Sequence, residues 1–248
     1  MRPSAKFALF WLLVSSASAF AETAPTQVPR LNDDARAHRI QNVLSDFWSD
    51  AVQVWTTYFE ARHVDPETPQ INFVQSVKAS HCYGLYVSAG PVYCFGNSTV
   101  FVSLAEMERL EARIPGLGEP GLAFLVAHEF GHHVQKVTDR FRLFTALTYN
   151  NISRQKELAL RLELEADCLA GVWAGLSPKF SSSNTMRTDM LAALHAIGDD
   201  NIGGVELDHA ANPASYTHGS SEQRVRWFKA GLENPSIETC DVLGAAQF

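Results

Sequence analysis

The sequence predicts an α+β domain, because stretches with strand character come first and stretches with helical spacing follow. Short stretches rich in β-branched and aromatic residues occur at 71–77, 83–87, 91–95 and 98–104. Apolar residues recur at helical spacing before them at 38–61, and after them at 104–112, 122–137, 154–175, 184–198 and 221–232. The composition agrees, since 46% hydrophobic and 19% charged residues are ordinary for a globular chain, and 248 residues can bury a sizeable core.

Residues 1–21 have the pattern of a secretory signal peptide. Arg2 and Lys6 precede a short apolar stretch, Phe7 to Val14, and small residues follow as far as Ala21. The alternative, a membrane anchor, would need ~20 apolar residues, and this stretch is shorter. We therefore predict cleavage after Ala21 and export of the chain, either to the periplasm or out of the cell.

The remaining chain is predicted to consist of a leader and one functional domain. Residues 22–44 are expected to form a flexible leader, because the segment begins polar and proline-bearing, and the domain is expected to span 45–248. No later segment is apolar enough to span a membrane, so we expect no span in the mature chain. Loss of Arg2 and Lys6 would take the formal net charge from −7 to −9, which argues against nucleic acid as a partner.

Four cysteines in an exported chain favour two disulfides. Gly90-Pro91 would turn the chain between Cys82 and Cys94, which favours that pair and leaves Cys168 to join Cys240. The alternative is that one or more of them stays a buried free thiol.

The stretch AHEFGHHVQ, at 127–135, contains the pattern HExxH. A helix turns by ~100° per residue, so His128 and His132 lie on one face and can bind one metal ion. Glu129 then lies beside the metal, where it can act as a general base toward water. His133 is rotated away from that face, so we expect a polar contact on the helix flank rather than a metal role.

The second half of the site is predicted in an apolar helix downstream that carries three acids. Glu163 and Asp167 are four residues apart and share a face, whereas Glu165 points ~200° away. Glu163 is the predicted third ligand of a Zn²⁺ ion, and Asp167 would accept the free N–H of His128. The alternative is that these acids face solvent and pair with Arg161 and nearby bases.

These motifs resemble the bacterial neutral zinc metallopeptidase-like family. The resemblance rests on HEFGHHVQ, RLELEADCLAGVWA and THGSSEQRVRWF, with YCFGNSTVFVSL and AIGDD also matching, and it covers residues 45–243. It implies a zincin-like fold and a zinc ion whose third ligand is a glutamate in an E-x-x-x-D element, here Glu163 to Asp167. The chain departs from the family in having Glu165 where glutamine is usual, and in lacking an aspartate near Ser103.

The resemblance also implies an activity, the hydrolysis of a peptide or protein substrate. Two histidines and one carboxylate leave a zinc position for water, as in catalytic sites. Glu129 would take a proton from water and pass it to the leaving amine. A thermolysin-like site further needs a donor to the oxyanion, for which we expect His218 first and Tyr216 second. The alternative for His218 is a structural place before a helix N-cap at Ser220 or Ser221.

In zincins the peptide lies along an edge strand, and by analogy 100–103 is the candidate edge. Tyr83, Tyr86, Tyr93 and Phe95 are expected to build core rather than a substrate subsite. Two other functions stay open: a zinc-held scaffold that binds a partner without turnover, and a zinc hydrolase of a non-peptide amide. Glu129 favours an enzyme, because a scaffold needs the metal ligands but has no use for the base.

Overall fold

The computed structural model describes residues 31–82, 90–149, 151–202 and 213–248. Its helices are α1 (Leu31–Glu60), α2 (Leu104–Arg113), α3 (Gly118–Val137), α4 (Arg140–Tyr149), α5 (Gln155–Leu176), α6 (Pro178–Ser181), α7 (Asn184–Ala196), α8 (Asp199–Ile202) and α9 (Ser221–Glu233). Its strands are β1 (Gln70–Val74), β2 (Val92–Cys94) and β3 (Thr99–Ser103). The predicted α+β class is confirmed, with a small sheet ahead of a mainly helical second half.

Some predictions fall on residues outside the described ranges. They are the signal peptide at 1–21, the strand at 83–87 and the placement of Tyr83 and Tyr86. Among the described residues, no helix is both long and apolar enough to cross a membrane.

Helix α1 corrects the leader that the sequence predicts over 22–44. The helix begins at Leu31, and both Ile40 and Leu44 are fully buried in the main hydrophobic core. They are spaced four residues apart, so they lie on the face of α1 that packs against the core. From residue 31 onward the predicted leader is therefore a structural part of the domain.

The sheet has the order β1-β3-β2, with β3 parallel to β1 and antiparallel to β2. All five residues of β3 are buried, as expected for a strand with neighbours on both sides. The prediction that 100–103 forms an edge is therefore wrong, because these residues belong to the central strand. Among the described residues the edges are β1 and β2, and β2 is the strand that contacts α3.

Helix α5 lies at the centre of the helical half and packs against both α3 and α9. It meets α9 at unusually short range, because glycines lie at the crossing. A Cβ atom on Gly171 would overlap the carbonyl of Phe228, and one on Gly231 would overlap the carbonyl of Cys168. The absence of side chains at these two positions lets the backbones touch.

Two disulfides close the described structure, Cys82–Cys94 and Cys168–Cys240, and no described cysteine is free. The second one joins the middle of α5 to the short 3₁₀ helix Ile237–Cys240, so the C-terminal segment is tied to the central helix. Helix α4 is a feature that the sequence pattern did not predict. None of its residues is fully buried, so its apolar residues do not form the single stripe on which such a prediction depends.

Candidate active site

Helix α3 presents His128 and His132 on one buried face. Their ring centroids lie 4.8 Å apart, and each residue is less than a tenth exposed. Gly131 lies between them and faces α5, where a Cβ atom would come within 2.8 Å of the carbonyl oxygen of Ala166. The missing side chain therefore allows α3 to approach α5 closely enough for their side chains to meet.

Glu163 of α5 extends toward this face. Its Oε2 lies 3.2 Å from Nε2 of His128, 3.5 Å from Nε2 of His132 and 3.8 Å from Nε2 of His218. Among the described residues, the ligand atoms of His128, Glu163 and His218 all lie within 4.8 Å of one another. The structure thus brings the three predicted ligands together and adds His218 at the rim.

The far side of each histidine ring is held by a side-chain oxygen. Nδ1 of His128 lies 2.8 Å from Oδ1 of Asp167, and Nδ1 of His132 lies 2.9 Å from Oε1 of Gln135. Gln135 is oriented in turn, because its Nε2 donates to the carbonyl of Leu162 at 2.7 Å. With both Nδ1 atoms donating, both Nε2 lone pairs are directed toward Glu163.

The charges at this point favour a cation. Two Nε2 lone pairs and a carboxylate oxygen would repel one another at these distances unless a positive charge lies among them. Burial opposes charge on His128, but its hydrogen bonds to Asp167 and Glu163 raise its pKa to about 10. The site therefore stabilises a positive charge at Nε2, either a proton or a metal ion that replaces the proton. The donors, two imidazole nitrogens and one carboxylate oxygen, fit Zn²⁺.

Arg224 neutralises the carboxylate behind His128. Its Nε donates to Oδ2 of Asp167 at 2.9 Å and its Nη2 donates to Oδ1 at 3.0 Å, while Nη1 donates to the carbonyl of Ile197 at 3.2 Å. Asp167 is fully buried, and a buried carboxylate is stable only when it is paired in this way. The row Arg224–Asp167–His128 therefore fixes the position of the first histidine.

Glu129 is buried next to the two histidines. One of its oxygens, Oε2, accepts a hydrogen bond of 2.6 Å from the backbone N–H of Tyr93 in β2. Burial raises the pKa of Glu129, although the neighbouring histidines oppose the shift. A carboxylate with a raised pKa, held by a fixed donor, suits a group that accepts and later releases a proton.

His133 lies outside this cluster. Its Nε2 donates to the carbonyl of Glu67 at 2.6 Å, and its Nδ1 lies 2.9 Å from the hydroxyl of Tyr93. Burial lowers its pKa to about 4, so the ring is neutral near pH 7. These contacts join α3 to the sheet and to the segment before it.

Glu165 points away from the histidines and pairs with Arg140 through two hydrogen bonds, of 2.8 and 3.1 Å. Arg161 does not pair with the three acids either. It donates to Glu157 and to carbonyls near the C-terminus. The alternative in which Glu163, Glu165 and Asp167 face solvent and pair with Arg161 is therefore wrong.

The loop before α9 carries His218. Ser220 forms the N-cap of α9 and Gln223 completes a capping box, so His218 lies two residues before the cap. Gly219 adopts φ +105°, a left-handed conformation that favours glycine. The His218 side chain is 39% exposed, and its Nδ1 lies 2.9 Å from Oγ1 of Thr217. His218 thus lies in the loop that leads into α9 and also approaches Glu163.

Asp199 anchors this loop, and the sequence analysis did not identify it. Its Oδ2 accepts the backbone N–H groups of Thr217, His218 and Gly219, at 2.6, 2.7 and 3.0 Å. The sequence carried only a weak signal for Asp199. It lies in the stretch AIGDD, which matches the family, but no spacing rule relates that stretch to His218. Tyr216 lies in the same loop, where its backbone N–H donates to the carbonyl of Pro213. Of the two predicted oxyanion donors, His218 approaches Glu163, with 3.8 Å between its Nε2 and Oε2 of Glu163.

Fold and site together define a class: α+β proteins with an HExxH helix and a glutamate supplied by a second helix. The chain belongs to one family within it, described as "Putative neutral zinc metallopeptidase", which matches residues 9–243. The resemblance inferred from the motifs is thereby confirmed.

Relatives have been found in two groups of bacteria. YpfJ of Escherichia coli (strain K12) is 29% identical over 195 residues, which cover 77% of this chain and 67% of that protein. Rv2575 of Mycobacterium tuberculosis is 29% identical over 190 residues, which cover 72% of this chain and 63% of that protein. Both carry the name "Uncharacterized protein", and no solved structure matches the chain.

Proposed function

We propose that this chain is a zinc-dependent endopeptidase of the cell envelope that hydrolyses peptide bonds with Glu129 as general base. The observation that carries the proposal is the position of Glu129. It adjoins a donor set suited to zinc, and its carboxylate is buried and held by a backbone N–H. A scaffold that only binds metal has no use for a second carboxylate placed in this way.

His128, His132 and Glu163 would hold the zinc ion. When bound, zinc supplies a Lewis acid that lowers the pKa of water and polarises a carbonyl oxygen. Asp167 and Gln135 keep the two rings in the orientation that ligation needs, and Arg224 keeps Asp167 ionised. The shell around the ligands is therefore supplied by this chain alone.

Glu129 would accept a proton from the attacking water molecule and deliver it to the leaving amine. The hydrogen bond from the backbone N–H of Tyr93 limits rotation of the carboxylate, so Oε2 is held and Oε1 would accept the proton. Because β2 is an edge strand, a substrate lying along it would pass beside Glu129.

His218 is our choice for the group that donates to the developing oxyanion, with Tyr216 as the second choice. The Thr217 hydroxyl can donate to Nδ1 of His218, which leaves an Nε2–H directed into the site. Asp199 holds the backbone on either side of the ring. A preorganised donor of this kind contributes roughly 3–4 kcal/mol to transition-state binding in other hydrolases.

The proposed location rests on the pattern at 1–21 and on the two disulfides, which persist in oxidising compartments. The proposed partner is a peptide or protein substrate, and the acidic net charge of −7 argues against nucleic acid. Fractionation of cells that express the full chain, followed by mass spectrometry of its N-terminus, tests both export and cleavage after Ala21.

A digest of a peptide library tests the activity. The zinc-loaded chain should cleave peptides, chelator should abolish cleavage, and Glu129→Gln should bind zinc normally but lower kcat by ~10²–10⁴-fold, the usual contribution of a general base. Normal turnover by Glu129→Gln would remove Glu129 from this role. Zinc binding without cleavage of any peptide would favour the scaffold, or the hydrolase of a non-peptide amide if such a substrate is turned over.

A further inference from the structure

Phe95 connects the site to helix α4. It follows β2 directly, and its ring centroid lies 6.2 Å from that of His132. On its other side it stacks on Phe141 of α4, with centroids 4.1 Å apart and planes 25° apart. Both phenylalanines are half-buried, so each keeps part of its ring accessible. Phe95 packs against the main core, as the sequence analysis expected, and its ring also contacts a candidate zinc ligand.

The candidate zinc site is partly open to solvent. The side chains of Glu163 and His218 are 26% and 39% exposed, so the cluster is reachable from outside. Tyr93, whose N–H holds Glu129, is two residues before Phe95 and makes an edge contact with its ring. A peptide whose scissile bond lies beside Glu129 would therefore have a neighbouring side chain within reach of Phe95.

The two arginines next to Phe141 in the chain each form ion pairs with carboxylates. Arg140 pairs with Glu165 and Asp241, and Arg142 pairs with Asp139. The rings of Phe95 and Phe141 are themselves apolar, so a charged side chain packed directly on them would lose water without gaining a partner from either ring.

We propose that Phe95 and Phe141 form an apolar wall that recognises an aromatic or branched aliphatic side chain next to the scissile bond. This proposal rests on the proposed function and adds a substrate class to it. Aromatic surfaces give large apolar contacts and favour offset or edge-on packing of a third ring, which suits a specificity site.

A peptide series tests the wall. The peptides differ only at the residues that flank the scissile bond, where they carry Phe, Leu, Ala, Asp or Lys. We expect kcat/KM for the Phe and Leu peptides to exceed that for the Ala peptide by at least about tenfold, as for a hydrophobic pocket that is filled. Phe95→Ala should bring that ratio to within about threefold. A preference for Asp, Lys or Ala in the wild type would overturn the proposal.

A binding measurement keeps the wall testable even if no peptide is cleaved. The probes are phenylalanine hydroxamate and alanine hydroxamate, which share a zinc-binding group and differ in the side chain. Zinc-loaded wild type should bind the first at least about tenfold more tightly in calorimetry, and Phe95→Ala should remove most of that difference. Equal binding of both probes by the wild type would overturn the wall, whereas absence of peptide turnover alone would count only against the proposed function.

Phe144→Ala is the matched control. Phe144 lies on the same helix as Phe141 and packs on the Leu158, Leu162 and Leu243 cluster. This substitution should lower the melting temperature and leave the ratio of the two hydroxamate affinities unchanged. If Phe144→Ala and Phe95→Ala reduce that ratio equally, Phe95 acts through packing of α4 and the wall is rejected.

Discussion

Glu163 and Glu165 lie two residues apart on one helix, and their surroundings are opposite in kind. Glu163 faces three histidine nitrogens, whereas Glu165 is paired with Arg140 on the other side of α5. The ~100° step of a helix is enough to separate them from sequence alone, because only Glu163 shares a face with Asp167. The same step separates His133 from His128.

Removal of each glutamate should therefore have a different effect. Glu163→Ala should weaken zinc binding by at least ~100-fold, because even a residue behind a ligand contributes 10–100-fold. Glu165→Ala should leave zinc affinity nearly unchanged but lower the free energy of unfolding by roughly 1–3 kcal/mol, since Arg140 loses its buried partner. Competition with a chromogenic chelator and urea unfolding measure the two quantities. A larger loss of zinc in Glu165→Ala would mean that the wrong carboxylate was chosen.

Other residues of the site follow no local spacing rule. Gln135 orients His132 from one turn away and was recognisable only after the direction of the ring was known. Asp199 acts on a loop 18 to 20 residues further along the chain. Contacts of this kind depend on how a loop closes, and residue type and periodicity do not encode that closure.

At the scale of elements, the site is assembled where α3 crosses α5. Gly131 makes that crossing possible, because a methyl group there would press on the carbonyl of Ala166 at 2.8 Å. Gly175 makes a comparable close contact near the end of α5, where a Cβ atom would lie 2.8 Å from the carbonyl oxygen of Leu232. The two glycines therefore form a matched pair, and only one is near the candidate zinc ligands.

Gly131→Ala should damage the site as well as the fold. Alanine normally stabilises a helix by about 1 kcal/mol relative to glycine, but overpacking at a tight crossing costs roughly 1–3 kcal/mol. We expect both Gly131→Ala and Gly175→Ala to be destabilised in urea. Only Gly131→Ala should also bind zinc at least about tenfold more weakly, because a small displacement separates the ligands that α3 and α5 contribute. Equal zinc affinities in the two variants would contradict this view of the crossing.

Most helices were predictable to within a few residues, because their apolar residues recur at helical spacing. Helix α4 was missed because its apolar residues are spread around its circumference, with Leu143 and Leu147 exposed. The position of β3 was also misjudged. Strand character marked 98–104 correctly, but the order of strands in a sheet depends on pairing between distant segments, which composition does not reveal.

At the scale of the whole molecule, two disulfides cross-link the chain, and they differ in the sequence separation that they span. Cys82–Cys94 spans a separation of 12 residues, whereas Cys168–Cys240 spans 72 and ties the C-terminus to α5. Loop-closure entropy assigns about 2.8 kcal/mol to the first and about 4.4 kcal/mol to the second. The longer link also starts in the helix that carries Glu163.

The double variant Cys168→Ala/Cys240→Ala should therefore lose more stability than Cys82→Ala/Cys94→Ala, by about 1.6 kcal/mol. Urea unfolding followed by tryptophan fluorescence measures the difference, with chelator present in both samples so that metal binding does not contribute. All four cysteines are buried, so the loss of side-chain volume is similar in the two variants. A larger effect from the short link would contradict the entropic account.

The hydrogen bond that holds Glu129 comes from the main chain of Tyr93 and not from its side chain. Every amino acid except proline carries that N–H, so random substitution at position 93 leaves the partner of the base in place. The phenol ring serves a separate purpose at His133. A change of side chain at position 93 would therefore cost core packing and the contact with His133 but would leave the partner of Glu129 in place. The neighbouring helix has no such separation, because His128, Glu129 and His132 act through their own side-chain atoms.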